Sequence, residues 1–340
     1  MTLSSNDLAR PKIAVYGIFK NEEKFIKRYL ESVKDADEIV LCDTGTTDKT
    51  NELIEEFRKE NPKVPLSVYH ICVSPWRFDD AFNTALSLIN SEIDLCIALG
   101  LDEYLMEGWK EHIIKNYDPT ITRYFHKFST IWPGGGRSQH WHERIHKRLG
   151  YQWKLPVHEI LEYNGEEKIK RLNNFWIYQK PDTGKSRSSY LPLLEQSVKE
   201  RKDVWKSWSF LAGEYLRVRK YDKAIWATDE ALKIEDSDKG YLHKLKYIIY
   251  KSQNKNDLAL IELNQAIPHL PYRREIRFEK AKFLHQLGRN LEAYLMIKEA
   301  EQLKQKITDY HYNQHAWNED FYKWKENLFE LAKKEGFGNG

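Results

Sequence analysis

Short apolar runs alternate with helical patterns over residues 13–99, and this alternation is the strongest constraint on the fold. The runs cover residues 13–19, 38–42, 66–71 and 94–99, and the helical patterns cover residues 22–33, 49–61 and 79–90. Strands separated by helices in this way predict an α/β fold with a mostly parallel sheet and right-handed crossovers. Such sheets bind ligands at the carboxyl ends of their strands, where the polar clusters of this chain fall.

Residues 106–190 lack this regularity. They contain a Pro-Gly-Gly-Gly turn at 133–136, several histidines, and aromatic residues among basic ones. The sequence predicts no strand order for this section.

A second pattern begins near residue 190, where small and aromatic residues recur at the period of tetratricopeptide repeats. Three units, 35 and then 34 residues apart, contain Leu211, Ala212, Tyr215, Ala224 and Ala231; Tyr247, Tyr250, Ala259 and Ala266; and Ala281, Leu284, Ala293 and Ala300. Small residues let paired helices approach closely, and stacked repeats bury a face that one repeat cannot bury. We therefore predict an α/β domain over residues 1–190 and an all-α helical repeat domain over 191–340, closed by a capping helix at 311–334.

The composition excludes few functions. The net charge of +3 permits an anionic partner without requiring one. No run of about 18 apolar residues occurs, so we expect no membrane span and a cytoplasmic protein. Cys42, Cys72 and Cys96 lie in apolar runs without metal-ligand spacing and are expected to be buried, reduced thiols.

Asp43 ends a buried strand, and a carboxylate in that place must be solvated, paired or bound to a ligand. The turn Thr44-Gly45-Thr46-Thr47-Asp48 follows it. By local chemistry alone this segment is either a ligand-binding loop or an ordinary strand–helix turn in which Asp48 caps the next helix.

In combination, three segments resemble the family-2 glycosyltransferases of the GT-A fold. They are Asn21-Glu22-Glu23 with Leu30-Glu31-Ser32-Val33, the run from Asp43 to Thr50, and the run from Trp76 to Asn83. The resemblance covers about residues 12–162. It implies that Phe19, Asn21, Glu22, Asp43, Asp79 and Asp80 help to hold a nucleotide-sugar, most simply a UDP-sugar. Phe82 departs from the family, which has an arginine there that could meet the diphosphate; Arg77 or a later cation is the candidate replacement.

The segment Gly100-Leu101-Asp102-Glu103 falls where the family has its metal motif. A divalent cation, Mn²⁺ or Mg²⁺, neutralises the charge that develops on the departing nucleoside diphosphate. Here the first acid of the motif is Gly100, so the resemblance leaves Asp102 as the metal ligand, with Leu101 beside the donor. The block Arg144…Val157-His158-Glu159 resembles related enzymes with helical repeats. It makes His158 a candidate second ligand, or else a structural histidine, and Arg144 a donor contact.

Inverting sugar transfer needs a general base that removes the acceptor proton. Glu143 is the first candidate, with His142 and Glu159 as rivals. His140, His142 and His146 lie close in sequence, as zinc ligands can, but no cysteine accompanies them, so we do not expect structural zinc.

The acceptor is less constrained. From Arg123 to Arg187 the chain has 13 Lys or Arg against six Asp or Glu, with Trp and Tyr interleaved. The fusion of such a transferase with helical repeats is similar to sublancin-type peptide glycosyltransferases, which implies a peptide or protein acceptor. Phage enzymes that glycosylate modified DNA bases are the second possibility. We also expect the repeats or the aromatic tail to support a homo-oligomer.

A non-enzymatic alternative stays open. In it, a degenerate transferase domain serves as an interaction scaffold through its repeats. Gly100 and Phe82 favour this alternative, whereas Asp43, Asp102 and His158 favour a hexosyl- or pentosyltransferase.

Overall fold

The computed structural model describes residues 10–184, 190–307, 309 and 311–337. The chain divides into two compact units, Met1–Ser186 and Arg187–Gly340. The predicted boundary at residue 190 lies beside the segment 185–189, which is outside the described residues, so that boundary stays a prediction.

The first unit begins with the predicted alternation of strands and helices. The elements are β1 (Ile13–Phe19), α1 (Ile26–Val33), β2 (Glu38–Asp43), α2 (Thr50–Glu60), β3 (Leu66–His70), α3 (Phe78–Ser87) and β4 (Leu95–Ala98). The strands lie in the order β3-β2-β1-β4, and all three pairings are parallel. Helices cover both faces, so β1 and β4 are apolar along their length rather than alternating with polar residues.

The same sheet continues through strands that the sequence did not reveal. The further elements are β5 (Glu103–Leu105), α4 (Trp109–Asn116), β6 (Arg123–Ile131), β7 (Arg137–Lys147), β8 (Tyr151–Lys154), β9 (Ile160–Tyr163) and β10 (Ile169–Gln179). Within the described residues the eight-stranded order is β3-β2-β1-β4-β7-β6-β10-β5. β7 pairs antiparallel with β4 and β6, β10 is parallel to β6, and β8 and β9 form a separate hairpin. The predicted α/β fold is confirmed.

Two hydrophobic layers sandwich the sheet because successive residues of each strand point to opposite faces. Ile13 and Val15 join a layer with helices α1, α2 and α4. Ala14 and Tyr16 join the other layer, which contains α3 and the β8–β9 hairpin.

A buried polar chain joins β1, β7 and β8 inside the second layer. Trp153 Nε1 donates to the Tyr16 hydroxyl oxygen at 2.8 Å, and the Tyr16 hydroxyl lies 2.9 Å from His146 Nε2. His146 Nδ1 donates to the Lys147 carbonyl at 2.7 Å. Because indole can only donate and a carbonyl can only accept, the chain has a single consistent direction, with Tyr16 donating to a neutral His146. Burial lowers the pKa of His146 to about 3, which keeps the imidazole neutral.

The second unit is helical, as predicted. Its elements are α5 (Tyr190–Glu200), α6 (Trp205–Arg217), α7 (Tyr221–Leu232), α8 (Lys239–Ser252), α9 (Asn256–His269), α10 (Arg274–Gln286), α11 (Asn290–Gln302) and α12 (Glu319–Lys334). The three predicted units correspond to the pairs α6–α7, α8–α9 and α10–α11. Their alanines at 224, 259 and 293 are fully buried, as close helix packing requires. The tail helix begins at 319, later than predicted, and packs on α11 through Phe321, Leu328 and Ala332.

Among the described residues, no helix has both the length and the apolar character needed to cross a membrane. Cys42 and Cys96 are buried, but the expectation for Cys72 is wrong. Cys72 is exposed because it follows the end of β3 instead of lying within the strand.

Candidate active site

The predicted donor residues meet at the carboxyl ends of β1 and β2. Asn21 adopts a positive φ of 57°, and its side-chain oxygen accepts the N–H groups of Thr47 at 2.8 Å and Asp48 at 3.2 Å. The carbonyl of Phe19 accepts the N–H of Thr44, and the N–H of buried Glu22 donates to Thr50 Oγ1 at 2.8 Å. The turn after β1 is therefore fastened to the loop after β2.

Asp43 organises that loop. Its Oδ1 accepts the N–H groups of Gly45 at 2.9 Å and Thr46 at 2.8 Å, and its Oδ2 accepts Asn51 Nδ2 at 2.8 Å and lies 3.1 Å from His70 Nδ1. The side chain is only 2% exposed. Burial acts to raise the pKa of Asp43, but the hydrogen bonds from Asn51, Thr46 and Gly45 outweigh it and lower the pKa. Asp43 is a fixed anion at the end of β2.

Asp79 and Asp80 begin α3, and they differ in their surroundings. Asp79 is 3% exposed and receives two bonds from Arg77, at 3.0 and 2.7 Å. Asp80 is exposed. Arg77 is thus committed to Asp79, which weakens it as the replacement cation for the diphosphate. Phe82 packs in the core, with its ring centroid 5.0 Å from that of Trp153, so position 82 does not face a donor.

The turn after β4 explains the glycine in the metal motif. The Gly100 N–H donates to Glu103 Oε2 at 2.8 Å. A Cβ at position 100 would lie 3.1 Å from Asp102 Oδ1 and 3.4 Å from Glu103 Cδ. An acidic side chain there would have to be accommodated against two other carboxylates. Leu101 is buried beneath the turn, at 2% exposure.

Asp102 is held through both its main chain and its side chain. Its carbonyl accepts Arg28 Nη2 at 2.8 Å and the Lys180 N–H at 3.0 Å. Its Oδ2 accepts Gln179 Nε2 at 3.0 Å, and Gln179 Oε1 accepts the Thr130 hydroxyl at 3.2 Å. The sequence did not reveal Gln179 as a support of Asp102. Gln179 reaches this turn because β10 pairs with β5, which sets Gln179 opposite Glu103.

Arg144 joins this turn to the second half of the sheet. A register shift in the β6–β7 pairing sets Glu143 and Arg144 opposite Phe125, a β-bulge of the kind that redirects side chains near active sites. Arg144 Nη1 lies 3.9 Å from Glu103 Oε2. Burial acts to lower the pKa of Arg144, but the charges of Glu103, Glu159 and Asp102 raise it. Arg144 is therefore a partly buried cation within electrostatic range of Asp102, Glu103 and Glu159.

Two of these carboxyl groups hold protons more tightly than usual. Burial raises the pKa of Glu103 to about 7, although Arg144 counteracts it. Burial also raises the pKa of Glu159, again opposed by Arg144. Carboxyl groups with raised pKa values suit proton transfer near neutral pH.

The other base candidates lie on β7. Glu143 is partly exposed, with one oxygen 3.5 Å from Arg123 Nη1. His142 Nδ1 accepts the N–H of Glu143 at 2.8 Å, and its ring stacks on His126 with centroids 5.9 Å apart. A neutral His142 therefore carries its proton on Nε2, so neither nitrogen is free to act as a base.

The metal site stays a prediction. Within the described part of the chain, no group of three or more His, Cys, Asp or Glu side chains is arranged to hold a metal ion. His158 stays a predicted ligand; its backbone has a positive φ of 52°. Asp102 alone fits a Mg²⁺-type site, in which one or two carboxylates bind the cation together with substrate phosphates and water.

Comparison with solved structures finds helical proteins at low similarity. A mutant of MamA aligns with 34% of this chain and 64% of its own, just under two thirds of its length, at 23% identity and a TM-score of 0.30. A crystal structure of MamA aligns with 43% of this chain and 88% of its own, at 11% identity and a TM-score of 0.31. No curated protein matches the chain.

A family model matches the unit that carries the site. The matched residues are 15–167, somewhat less than half of the 340-residue chain. They include the turn after β1, Asp43, Asp102, Arg144 and Glu159. The matching family is Glycosyl transferase family 2, which supports a domain of this family in the first unit and, with it, a glycosyltransferase function.

Proposed function

We propose that the first unit is a metal-dependent, inverting glycosyltransferase that uses a nucleotide-sugar, most simply a UDP-sugar. The observation that carries this proposal is the placement of two anchored carboxylates on one sheet edge within the family match. Asp43 follows β2 and Asp102 follows β4, with β1 between them. Two strand spacings are about 10 Å, a span that suits a nucleoside at one end and a diphosphate at the other.

The nucleoside end would use the loop that Asn21 and Asp43 hold together. Asp43 is ionised and rigid, so it can accept hydrogen bonds from a base or ribose without a cost in ordering. Phe19 and Glu22 lie in the same turn. Asp80 is the exposed member of the α3 pair, so it is better placed than Asp79 to contact a ligand.

Asp102 would hold Mn²⁺ or Mg²⁺ at the diphosphate end, with His158 as the proposed second protein ligand. A bound cation would neutralise the charge of the leaving nucleoside diphosphate. Arg28 and Gln179 fix Asp102 before any ligand arrives, and such outer contacts commonly control metal affinity. Arg144, partly buried beside this turn, adds a permanent positive charge.

The transfer itself needs only a base from this chain. The acceptor oxygen attacks the sugar C1 from the face opposite the nucleotide, the bond between C1 and the diphosphate oxygen breaks, and the acceptor proton passes to the base. Glu159 is favoured by its raised pKa, and Glu143 by its exposure. His142 is the weakest of the three because its Nδ1 already accepts a hydrogen bond.

The acceptor class follows from the sequence resemblance, which favours a peptide or protein, or a hydroxymethylated DNA base. A cytoplasmic location and a homo-oligomer through the helical repeats or the tail belong to the same proposal. The transferred sugar is a hexose or a pentose.

Hydrolysis of UDP-, GDP- and CMP-sugars, each with and without Mn²⁺ or Mg²⁺, tests the proposal. We expect hydrolysis of one donor class only when metal is present, and a higher melting temperature with the matching nucleotide and metal. If no nucleotide raises the melting temperature, the scaffold alternative replaces this proposal. Gly100, in the place of an acid, is the feature that keeps that alternative in view.

A further inference from the structure

Three aromatic rings form a row on one face of the sheet, leading to the Asp102 turn. Trp176 and Tyr178 of β10 stack with centroids 6.1 Å apart and planes 9° apart. Tyr178 stacks in turn on Tyr104 of β5, at 5.3 Å and 26°. All three side chains are partly exposed.

The row ends on cations that touch the candidate site. The Arg28 guanidinium lies 4.7 Å from the centroid of the Tyr104 ring, and Lys180 Nζ lies 5.9 Å from it. Both residues also bond to the Asp102 carbonyl, Arg28 through its side chain and Lys180 through its N–H. Whatever stacks along the row is thus brought to the turn where transfer is proposed.

A fourth ring extends this face across the neighbouring strands. Lys127 of β6 is in register with Trp141 of β7 on one side and with Trp176 of β10 on the other. Lys127 Nζ lies 4.1 Å from the Trp141 ring centroid, and the Arg171 guanidinium lies 5.3 Å from it. We name the four rings Tyr104, Trp141, Trp176 and Tyr178 the stacking face.

The charge on the stacking face is not balanced by its own carboxylates. Within the described residues, none of Lys127, Arg171 and Lys180 forms an ion pair. Some other surface lysines do have such partners, as Lys12 has Glu92 and Lys27 has Glu56. An anionic occupant with flat rings would complement both the unpaired cations and the aromatic row.

We propose that the stacking face binds an unpaired stretch of nucleic acid and presents a hydroxyl-bearing base of that strand as the acceptor. Bases stack against the aromatic rings, and phosphates meet Lys127, Arg171 and Lys180, the combination by which proteins bind single strands. An acidic peptide would satisfy the cations but not the row of parallel rings. A neutral glycan would satisfy the rings but not the cations. This inference rests on the proposed transferase function and chooses among its acceptors.

Fluorescence anisotropy with a labelled single-stranded DNA of about 12 nucleotides tests the inference, since single-strand sites cover about 4–16 nucleotides. With about three phosphates neutralised, log Kd should change with log salt at a slope of about 2 in magnitude. Tyr178→Ala should weaken binding about 10-fold through the lost stacking. Arg171→Gln should lower the slope of log Kd against log salt by about 0.7. Because Arg171 is exposed, this variant keeps the test valid if Tyr178→Ala does not fold.

Tyr272→Ala is the matched control, because Tyr272 is an exposed aromatic residue of the second unit, at 66% exposure. It should bind the DNA as the unmodified protein does. The inference is overturned if the unmodified protein does not bind the strand, if Tyr178→Ala and Arg171→Gln both bind it normally, or if polyglutamate competes as well as DNA. Parallel titrations of the unmodified protein with UDP, GDP and CMP separate the two proposals. DNA binding without binding of any of these nucleotides contradicts the transferase, whereas nucleotide binding without DNA binding contradicts only the acceptor.

Discussion

Asp43 and Glu103 are buried to nearly the same extent, 2% and 3% exposed, yet their pKa values move in opposite directions. Asp43 receives two backbone N–H groups and the Asn51 amide, and its pKa is lowered. Glu103 receives one backbone N–H and has Arg144 only at 3.9 Å, and burial raises its pKa to about 7. At Asp43 the close hydrogen-bond donors outweigh burial, whereas at Glu103 burial and the neighbouring charges of Asp102 and Glu159 outweigh Arg144 and one backbone donor.

The difference assigns different roles to the two strand ends. The end of β2 carries an anion that several donors hold in place, so it serves as a rigid contact for a ligand. In the turn after β4, Glu103 is buried and its pKa is raised, which leaves Asp102 as the candidate carboxylate for a ligand. Four predictions test this division.

The largest expected effect separates Asp102 from Asp43 in catalysis. Asp102→Asn should lower kcat for donor hydrolysis about 100-fold or more, since it removes charge stabilisation at the reacting end. Asp43→Asn should act mainly on KM for the donor, because the nucleoside end does not change during the reaction. Steady-state kinetics at saturating Mn²⁺ measure both. Equal effects of the two variants on kcat would contradict the division.

For the stability of the fold, in contrast to kcat, we expect Asp43 to matter more than Asp102. Asp43→Ala leaves the Asn51 amide and two backbone N–H groups without their acceptor, and should lower the free energy of unfolding by about 1–3 kcal/mol. Urea unfolding followed by circular dichroism measures the change. Glu92→Ala, which removes an exposed ion pair with Lys12, is the control and should leave the midpoint unchanged. Equal midpoints for the two variants would show that the Asp43 loop is not held as described.

Gln179→Leu tests whether Asp102 is positioned through its side chain. The substitution removes the bond to Asp102 Oδ2 and should weaken activation by Mn²⁺ about 10-fold, while kcat at saturating metal changes less. A Mn²⁺ titration of donor hydrolysis gives both quantities. Gln152→Leu, an exposed glutamine on β8, is the control. An unchanged Mn²⁺ requirement in Gln179→Leu would exclude this positioning role.

The last prediction concerns the pH dependence of stability, to which the two carboxyl groups contribute with opposite signs. The lowered pKa of Asp43 contributes stability above its ordinary value of 3.8, and this is lost as the pH falls through the native pKa. The raised pKa of Glu103 contributes stability that is complete below 4.5 and is lost as the pH rises to about 7. Urea midpoints in EDTA should therefore decline less between pH 4.5 and 7 in Glu103→Gln. In Asp43→Asn they should decline less on the acid side. A parallel decline in both variants would contradict the opposite pKa shifts.

The sequence predicted the parallel half of the sheet because its signal is local. Runs such as 13–19 are apolar along their length, and helices separate them. The strands from β6 to β10 were missed for a physical reason: β7 carries His140, His142, Arg144 and His146, and its apolar residues are only Trp141 and Ile145. Their burial depends on partners distant in the chain, so no local pattern reports it.

The residues of the candidate site also divide into those that the sequence predicted and those that it did not. Asn21, Asp43 and Asp102 follow strands that the sequence already predicted, and the structure brings them to one edge. Their roles as ligands stay predictions. Gln179 and Thr130 could not be found, because they reach Asp102 through the pairing of β10 with β5 and β6 rather than through a motif. Arg28 was missed because it reaches the Asp102 carbonyl from helix α1, 74 residues earlier in the chain. The sequence also did not reveal that Phe82 is a core residue, because its packing depends on Trp153, which lies 71 residues later in the chain.

The polar chain from Trp153 through Tyr16 to His146 has a consequence for how the protein is made. Tyr16 and His146 are 130 residues apart. While the ribosome is still adding residues, the first four strands lack both the partner of Tyr16 and the strand that completes the edge of β4. Contacts of such long sequence separation slow folding and leave partly folded chains exposed. The nascent first unit is therefore expected to stay incomplete until β7 and β8 have left the exit tunnel.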